Sequence, residues 1–465
     1  MSNKTASICG SGLKIMKTPG NNLFGMNVKT ILFLIMIVLL GASLRFQAIG
    51  NTVVDQPVRA DARIYYFTAL NLKYWGVFSQ AFPSRVAPEP GAFAPPALPY
   101  ALVPFAEFPP TERMLFRFNS YQALLSTLTI LSAYTLFRLL AGSAVALGAA
   151  LLTALAPHLV VMTTYLLTET QFTFLLTSGM LALALGMRRT NPGWAILGGF
   201  LLGLSALTRS TTEYFPVFMA PFLFWTMGTR SFLRIGLPAI GAALIMIVAW
   251  KIRNLAAIGA TSDPTLLINT ILHGMYPDFM FNGIPESFGF PYRFDPFAAQ
   301  PHTAGEVLQE LSNRVREAPW TFAYWYLIGK PATLLSWNII AGMGGIFVYP
   351  VEASPYLTLP FFQITESVSA YLHSPLTIAA LAGCGVVLFR PRILGLNENN
   401  RHIAVLIVAL ILYFLAVHMM GAPFPRYGIP LRPIIYGFGL FTLVALGKKI
   451  PLYLTSLRKK AEIHG

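Results

Sequence analysis

Long apolar runs recur from residue 31 to residue 447, and no other feature restricts the fold so strongly. A run of this kind is stable in lipid only if every backbone N–H and C=O is paired within the segment, which selects helices. The runs fall at 31–44, 116–140, 143–161, 166–187, 193–208, 214–228, 232–250, 373–389, 403–420 and 430–447. Only 11% of the 465 residues are charged, 55% are hydrophobic, and mean hydropathy is +0.61. The whole chain therefore reads as an all-α polytopic membrane protein rather than a soluble domain with an anchor. Glycine and alanine are dense from Ala144 to Ala156 and from Gly198 to Ala206, as close helix packing in lipid requires.

Charge placement sets the expected topology. The leader 1–28 carries Lys4, Lys14 and Lys17 and no acid. Arg188-Arg189, Arg230 to Arg234, Arg390 to Arg401, and the tail 448–465 with Lys448, Lys449, Arg458, Lys459 and Lys460 are the other basic patches. Ten crossings put all five patches in the cytoplasm and put the loops 50–113 and 251–372 together on the opposite, periplasmic face. This holds if 320–349 crosses zero times; twelve crossings is the alternative. The leader is long for a signal peptide and Arg45 follows closely, so the first run reads as an uncleaved anchor within a transmembrane body spanning 29–447. The net charge of +15 is absorbed by these orientation signals, so no nucleic-acid partner is expected. Cys9 and Cys384 imply no disulfide framework.

The two long loops have structure of their own. Residues 58–76 read as an amphipathic helix ending near Gly76. Nine prolines from Pro83 to Pro110 then predict a stretch without regular helix. Thr303-Ala304-Gly305-Glu306 is a capping box, with Val307, Leu308, Leu311 and Val315 as an apolar stripe, Glu310 and Arg314 in register, and Pro319 as the stop.

Several chemistries lack their motifs: no Walker loop, H-E-x-x-H, C-x-x-C or G-x-S-x-G occurs. His158, His273, His302, His373 and His418 lack ligand spacing, so neither a metal nor another cofactor is expected. What remains is a set of ionisable residues at span ends. Asp61 and Tyr65 lie at i and i+4 on one helix face, with Asp55 as the competing acid. Glu169 opens the fourth span, Arg209 closes the fifth, Lys251, Arg253 and Asn254 end the seventh, and Arg426 opens the last. Taken singly, Asp61 reads as an ion-pair partner of Arg59 or Arg63, and each arginine as an interfacial anchor. Together the basic groups face outward against the positive-inside trend, which predicts an anion there, such as a phosphate.

In order along the chain these residues resemble the type C membrane glycosyltransferases. The likeness is greatest to the bacterial branch with protein O-mannosyltransferases and lipid A aminoarabinose transferases, over roughly residues 30–447. The family pattern has an acid, a tyrosine and Ala-x-Asn-Leu after span one; here these are Asp61, Tyr65 and Ala69-Leu70-Asn71-Leu72, followed by Gly76-Val77-Phe78-Ser79. Pro95-Pro96-Ala97-Leu98-Pro99 matches its Pro-Pro-x-x-Pro, and Leu167-Thr168-Glu169 its Leu-Thr-Glu. Leu207-Thr208-Arg209 matches Leu-x-Arg, with Ser210 where proline is usual. Trp250-Lys251-Ile252-Arg253-Asn254 resembles Pro-Trp-x-x-Arg-Asn with Ala249 for the proline, and Arg426-Tyr427-Gly428-Ile429-Pro430 resembles Arg-Tyr-x-x-Pro. Many relatives have Asp-Glu where this chain has Asp61-Ala62, which counts against a metal-bridged site.

The resemblance implies an inverting transfer of a monosaccharide from a polyprenyl-phosphate donor to an acceptor hydroxyl at the periplasmic face of the bacterial inner membrane. Asp61 would be the general base, with Glu169 as the second catalytic carboxylate. Tyr65, Arg209, Arg253, Asn254, Lys330 and Arg426 would bind substrate. The implied partners are the lipid-linked sugar donor, a glycolipid, polysaccharide or protein acceptor, and membrane lipid. A polymer ligase or polymerase acting on lipid-linked glycans is the nearest rival. A secondary transporter is the other, but mid-membrane charges and internal repeats are not visible.

Overall fold

The computed structural model describes residues 27–464 apart from 282, 288, 290–300, 302, 341 and 342. Most of the leader, His302, Gly342 and the tail side chains beyond 448 lie outside the described residues. The chain begins with α1 (Val28–Asn51), whose Asn27 cap accepts from the Thr30 N–H, then β1 (Val53–Val54) and α2 (Ala60–Trp75). Gly76 ends α2 at φ 66, a left-handed conformation that glycine adopts without Cβ strain. The proline-rich stretch is not wholly irregular: α3 (Ala97–Leu102) forms within it. Pro96 is its N-cap and Pro99 lies in its first turn, where a missing N–H breaks no helical hydrogen bond.

The helical body comprises α4 (Glu112–Leu140), α5 (Ser143–Leu155), α6 (Pro157–Val161), α7 (Glu169–Arg189), α8 (Pro192–Thr208), α9 (Phe215–Ser231) and α10 (Leu237–Ile258). The second long loop holds α11 (Pro264–Met275), α12 (Ala304–Glu317) and α13 (Pro319–Tyr324). A π-turn at Trp325–Gly329 leads from α13 into α14 (Lys330–Leu334). After β2 (Val351–Ala353) and α15 (Pro355–Thr358), the body resumes with α16 (Pro360–Phe389), α17 (Glu398–Met420), α18 (Pro425–Gly428) and α19 (Arg432–His464). The capping box is formed, with the Thr303 hydroxyl accepting from the Glu306 N–H at 3.3 Å. Only part of the expected α12 stripe packs: Val307 is buried, whereas Leu308 and Val315 are exposed.

Among the described residues seven helical segments are long and apolar enough to cross a membrane, and α5 with α6, bent by 54° between Leu155 and Pro157, makes an eighth. One of the seven, Ser210–Ile258, has 49 residues. As a single rod it would be roughly 75 Å long, more than twice a bilayer core. It breaks instead at Gly228, at φ 71. Gly199 packs on Ala239 and Gly203 on Ala243, so α8 and α10 run parallel, and α9 must return between them.

Similar contacts fix the other directions. Gly186 lies on Ala195 and Gly198 on Leu183, so α7 and α8 are antiparallel. Tyr121 meets Gln171 and Ser132 meets Ser178, so α4 runs with α7. Gly41 lies on Ile130 and Arg45 on Ser126, so α1 opposes α4. The ends of α1, α8 and α10 and the starts of α4 and α7 therefore share one end of the bundle. Arg45, expected just beyond the first span, lies inside α1 and is fully buried. Its guanidinium is satisfied by Ser126 Oγ and by the carbonyls of Gly41, Thr153 and Ala154.

At that shared end the two long loops are tied together. β1 and β2 pair antiparallel, Val53 with Ala353 and Val54 with Val351, and the Asp55 N–H donates to Pro350 O at 2.9 Å.

Candidate active site

Asp61 stands on the first turn of α2, immediately after Ala60, whose φ of 44 is left-handed. That conformation costs an L-residue about 1–3 kcal/mol and is held only where surrounding structure dictates it. Only residues 55–59 separate β1 from α2 here, and Asp61 on the first turn meets Arg426. Asp55 is engaged elsewhere, 3.2 Å from Arg59. The structure thus separates the two candidate acids.

Arg426, on α18, joins Asp61 to Glu169. Its Nη1 lies 2.9 Å from Asp61 Oδ2 and its Nε 2.5 Å from Glu169 Oε1. Arg209 Nη1 approaches the same Glu169 oxygen at 2.6 Å and reaches Thr168 Oγ1 at 3.2 Å, while its guanidinium lies 4.5 Å from the Tyr427 ring centroid. Two carboxylates and two guanidiniums make a neutral cluster. This lets Glu169 stay ionised at 1% exposure, where an unpaired carboxylate would be too costly. The Asp61 side chain is 47% exposed. Of the two carboxylates only Asp61 is open to solvent, and Glu169 is the buried counter-charge to both guanidiniums.

Tyr65 packs beside this cluster. Burial, and then the Asp61 carboxylate, push its hydroxyl well above the usual range, so it remains a neutral donor. Tyr349 was not anticipated. It is buried, its carbonyl accepts from the Tyr165 hydroxyl at 3.1 Å, and Arg59 covers its ring at 5.8 Å. Burial pushes the Tyr349 hydroxyl up to about 12, with Arg426, Asp61 and Glu169 all near enough to act on it. Its hydroxyl lies against the Ala62 backbone N–H, one residue beyond Asp61. Nothing in Phe347-Val348-Tyr349-Pro350 marks this tyrosine in sequence, because the chain returns to Asp61 only through strand pairing.

The remaining expected ligands have other partners. Arg253 lies between the rings of Phe78 and Trp250, at 5.2 and 4.9 Å, and donates to Gly91 O at 2.8 Å. Asn254 is buried and donates to Thr261 O at 3.0 Å. Both fasten the loops above α10. Lys251 pairs with Glu213 at 2.6 Å. Lys330 is fully buried, with its ammonium on the carbonyls of Met419 and Gly421. Among the described residues no group of three or more His, Cys, Asp or Glu is placed to hold a metal ion.

Beside the cluster a cavity of about 460 Å³ opens between α3, α4, α7, α8 and α10. It is lined by Tyr100, Tyr121, Gln171, Phe174, Leu207 and Trp250 among others. A second, of about 310 Å³, shares Phe174 and continues past Ser178 to Leu185 and Trp194. From Gln171 to Leu185 this apolar furrow follows α7 for roughly 20 Å.

No curated protein matches the sequence. Residues 95–252 match the family described as Dolichyl-phosphate-mannose-protein mannosyltransferase. Among solved structures, the oligosaccharyltransferase AglB of Archaeoglobus fulgidus, in complex with an inhibitory peptide and a dolichol-phosphate, aligns at TM-score 0.52 and 14% identity. That alignment covers 93% of this chain and 52% of the other. The same archaeal enzyme tethered to an acceptor peptide aligns at TM-score 0.52 and 16% identity, over 91% and 50%. ArnT of Cupriavidus metallidurans bound to undecaprenyl phosphate aligns at TM-score 0.37 and 14% identity over 89% and 77%. This chain spans about half the length of the archaeal enzyme. It has that enzyme's helical membrane fold and, over 95–252, the sequence pattern of a lipid-linked mannosyltransferase family.

Proposed function

We propose that this protein is an inverting membrane glycosyltransferase that moves a monosaccharide from a polyprenyl-phosphate donor to an acceptor hydroxyl at the periplasmic face of the bacterial inner membrane. The observation that carries the reading is the Asp61–Arg426–Glu169–Arg209 cluster, with a half-exposed carboxylate at the bundle end and an apolar furrow beside it. The family pattern over 95–252 and the fold shared with a dolichol-phosphate-binding oligosaccharyltransferase support the same class.

In this reading the lipid tail lies along the furrow and the phosphate meets the guanidinium face of Arg426. Asp61 removes the proton from the acceptor hydroxyl as its oxygen attacks the anomeric carbon. The bond from that carbon to the phosphate oxygen breaks with inversion, and its electron pair leaves with polyprenyl phosphate. Arg426 and Arg209 stabilise the growing negative charge. The reading takes ten crossings, counting α8 and each arm of the α9–α10 fold-back with the longer segments, and the parallel packing of α8 on α10 supports that count. Both termini are then cytoplasmic.

Purified protein given a radiolabelled polyprenyl-phosphate monosaccharide is expected to move label to acceptor. Labelled oligosaccharide transfer would favour the ligase reading, and transfer of neither would end the proposal. Asp61→Asn keeps the shape and removes the base, so turnover is expected to fall about 100- to 10,000-fold. Near-normal turnover in that variant would remove Asp61 as the base and move the role to Asp55, the competing acid, whose side chain is also exposed, or to Glu169 if the cluster opens on binding.

A further inference from the structure

Lys330 is fully buried and forms no ion pair among the described residues. Its Nζ lies 2.8 Å from Met419 O and 3.0 Å from Gly421 O, and 3.7 Å from the centroid of the Tyr326 ring. An ammonium has three protons. Two carbonyls and a ring face account for all three, so a phosphate would find no free donor on it. Met419 lies in the last turn of α17 and Gly421 is its C-cap, where a cation also meets the negative end of the helix dipole.

The same turn is held from several other sides. A Cβ on Gly274 would lie 2.1 Å from Gly421 O, and one on Gly428 would lie 2.3 Å from Leu334 O, so backbones meet there directly. Phe279 stacks on Phe424 at 4.5 Å, and Trp325 Nε1 donates to Gly274 O at 2.9 Å. Arg426 follows on the next few residues. The π-turn at Trp325–Gly329 is the local irregularity that brings Lys330 onto this face.

We infer that Lys330 is a positioning residue: its ammonium fastens the carbonyl end of α17 and, through it, the turn that carries Arg426. This rests on the reading of Arg426 as part of the reacting site.

The test is a double-mutant cycle on the purified full chain, with Lys330→Met, Arg426→Lys and the pair assayed for transfer from a polyprenyl-phosphate monosaccharide. Methionine keeps the volume and removes the donors. Lys330→Met alone is expected to lower kcat about 10- to 100-fold, as misplaced catalytic groups do, with donor KM within about threefold. In the Arg426→Lys background it is expected to cost less than about threefold, because its effect passes through Arg426. A donor KM raised tenfold or more at unchanged kcat would make Lys330 a direct ligand and overturn the inference, as would losses that multiply in full. If Lys330→Met does not fold, Phe279→Leu loosens the same turn with Lys330 in place. It is expected to show the same non-additivity, and a fully multiplying loss would overturn the inference. Amide hydrogen exchange over 419–426 separates this inference from the functional reading. Faster exchange in Lys330→Met supports positioning even if the wild type transfers no sugar. Unchanged exchange overturns it even if the wild type does.

Discussion

Tyr349 carries a buried hydroxyl that lies against the Ala62 backbone N–H at the start of α2, with Arg426, Asp61 and Glu169 near enough to act on it. Tyr349→Phe keeps the ring and removes that contact. A hydrogen bond of this kind is worth about 1 kcal/mol, so the melting temperature is expected to fall by about 1–3 °C. Turnover is expected to fall roughly three- to tenfold, because the same contact holds the turn that presents Asp61. Unchanged turnover with a lower melting temperature would mean that the hydroxyl is a structural group only. Lys330 gives a pH signature at the same scale. Burial moves it down from its usual value to about 7. The ammonium that grips Met419 O and Gly421 O is therefore present below about pH 7, where the positioning test is read. Between about pH 7 and 10 the unfolded chain binds that proton and the folded chain does not, so stability rises with pH across that window. Tyr326, pushed up to about 12 by burial, stays neutral there, and His418 is the other titratable group facing the ammonium. Melting curves of wild type minus Lys330→Met should climb through that range; a flat difference would exclude the shift.

Close helix contacts set where the elements stand, and Gly199 shows it most directly. A Cβ there would lie 1.9 Å from Ala239 O and 2.9 Å from Ala239 Cα, so the obstacle is backbone rather than a movable side chain. Gly199→Ala must push α8 away from α10. Overpacking of this kind costs about 1–3 kcal/mol, and a lower melting temperature is expected. An unchanged one would mean that the pair has slack. Since α8 presents Arg209 and α10 presents Arg253, the same shift is expected to lower turnover more than a remote alanine substitution does. Arg253 itself, wedged between Phe78 and Trp250, fastens the loop that carries Gly91 to the end of α10.

For the whole molecule, topology is the testable property. Residues 85 and 190 are both exposed and lie in loops at opposite ends of the bundle. With the only natural cysteines, Cys9 and Cys384, replaced, a cysteine at position 85 is expected to react with an impermeant label in intact cells, and one at 190 is not. The reverse pattern would invert the protein in the membrane and end the periplasmic reading. The sequence by itself determined the membrane class and the position of most helices. Apolar run length and the pairing demand of lipid act locally and leave little choice. It also placed Asp61, Glu169, Arg209 and Arg426 at span ends, since charge inside the bilayer is costly. Only the tertiary structure decided which of these meet. Arg426 reaches Asp61 across 365 positions, Arg253 and Lys330 turn to loop and helix-end contacts, and Tyr349 enters the site unannounced. The reason is physical: a helix end fixes a side chain's depth, but rotation, backbone approach at small residues and strand pairing between distant loops fix its partner.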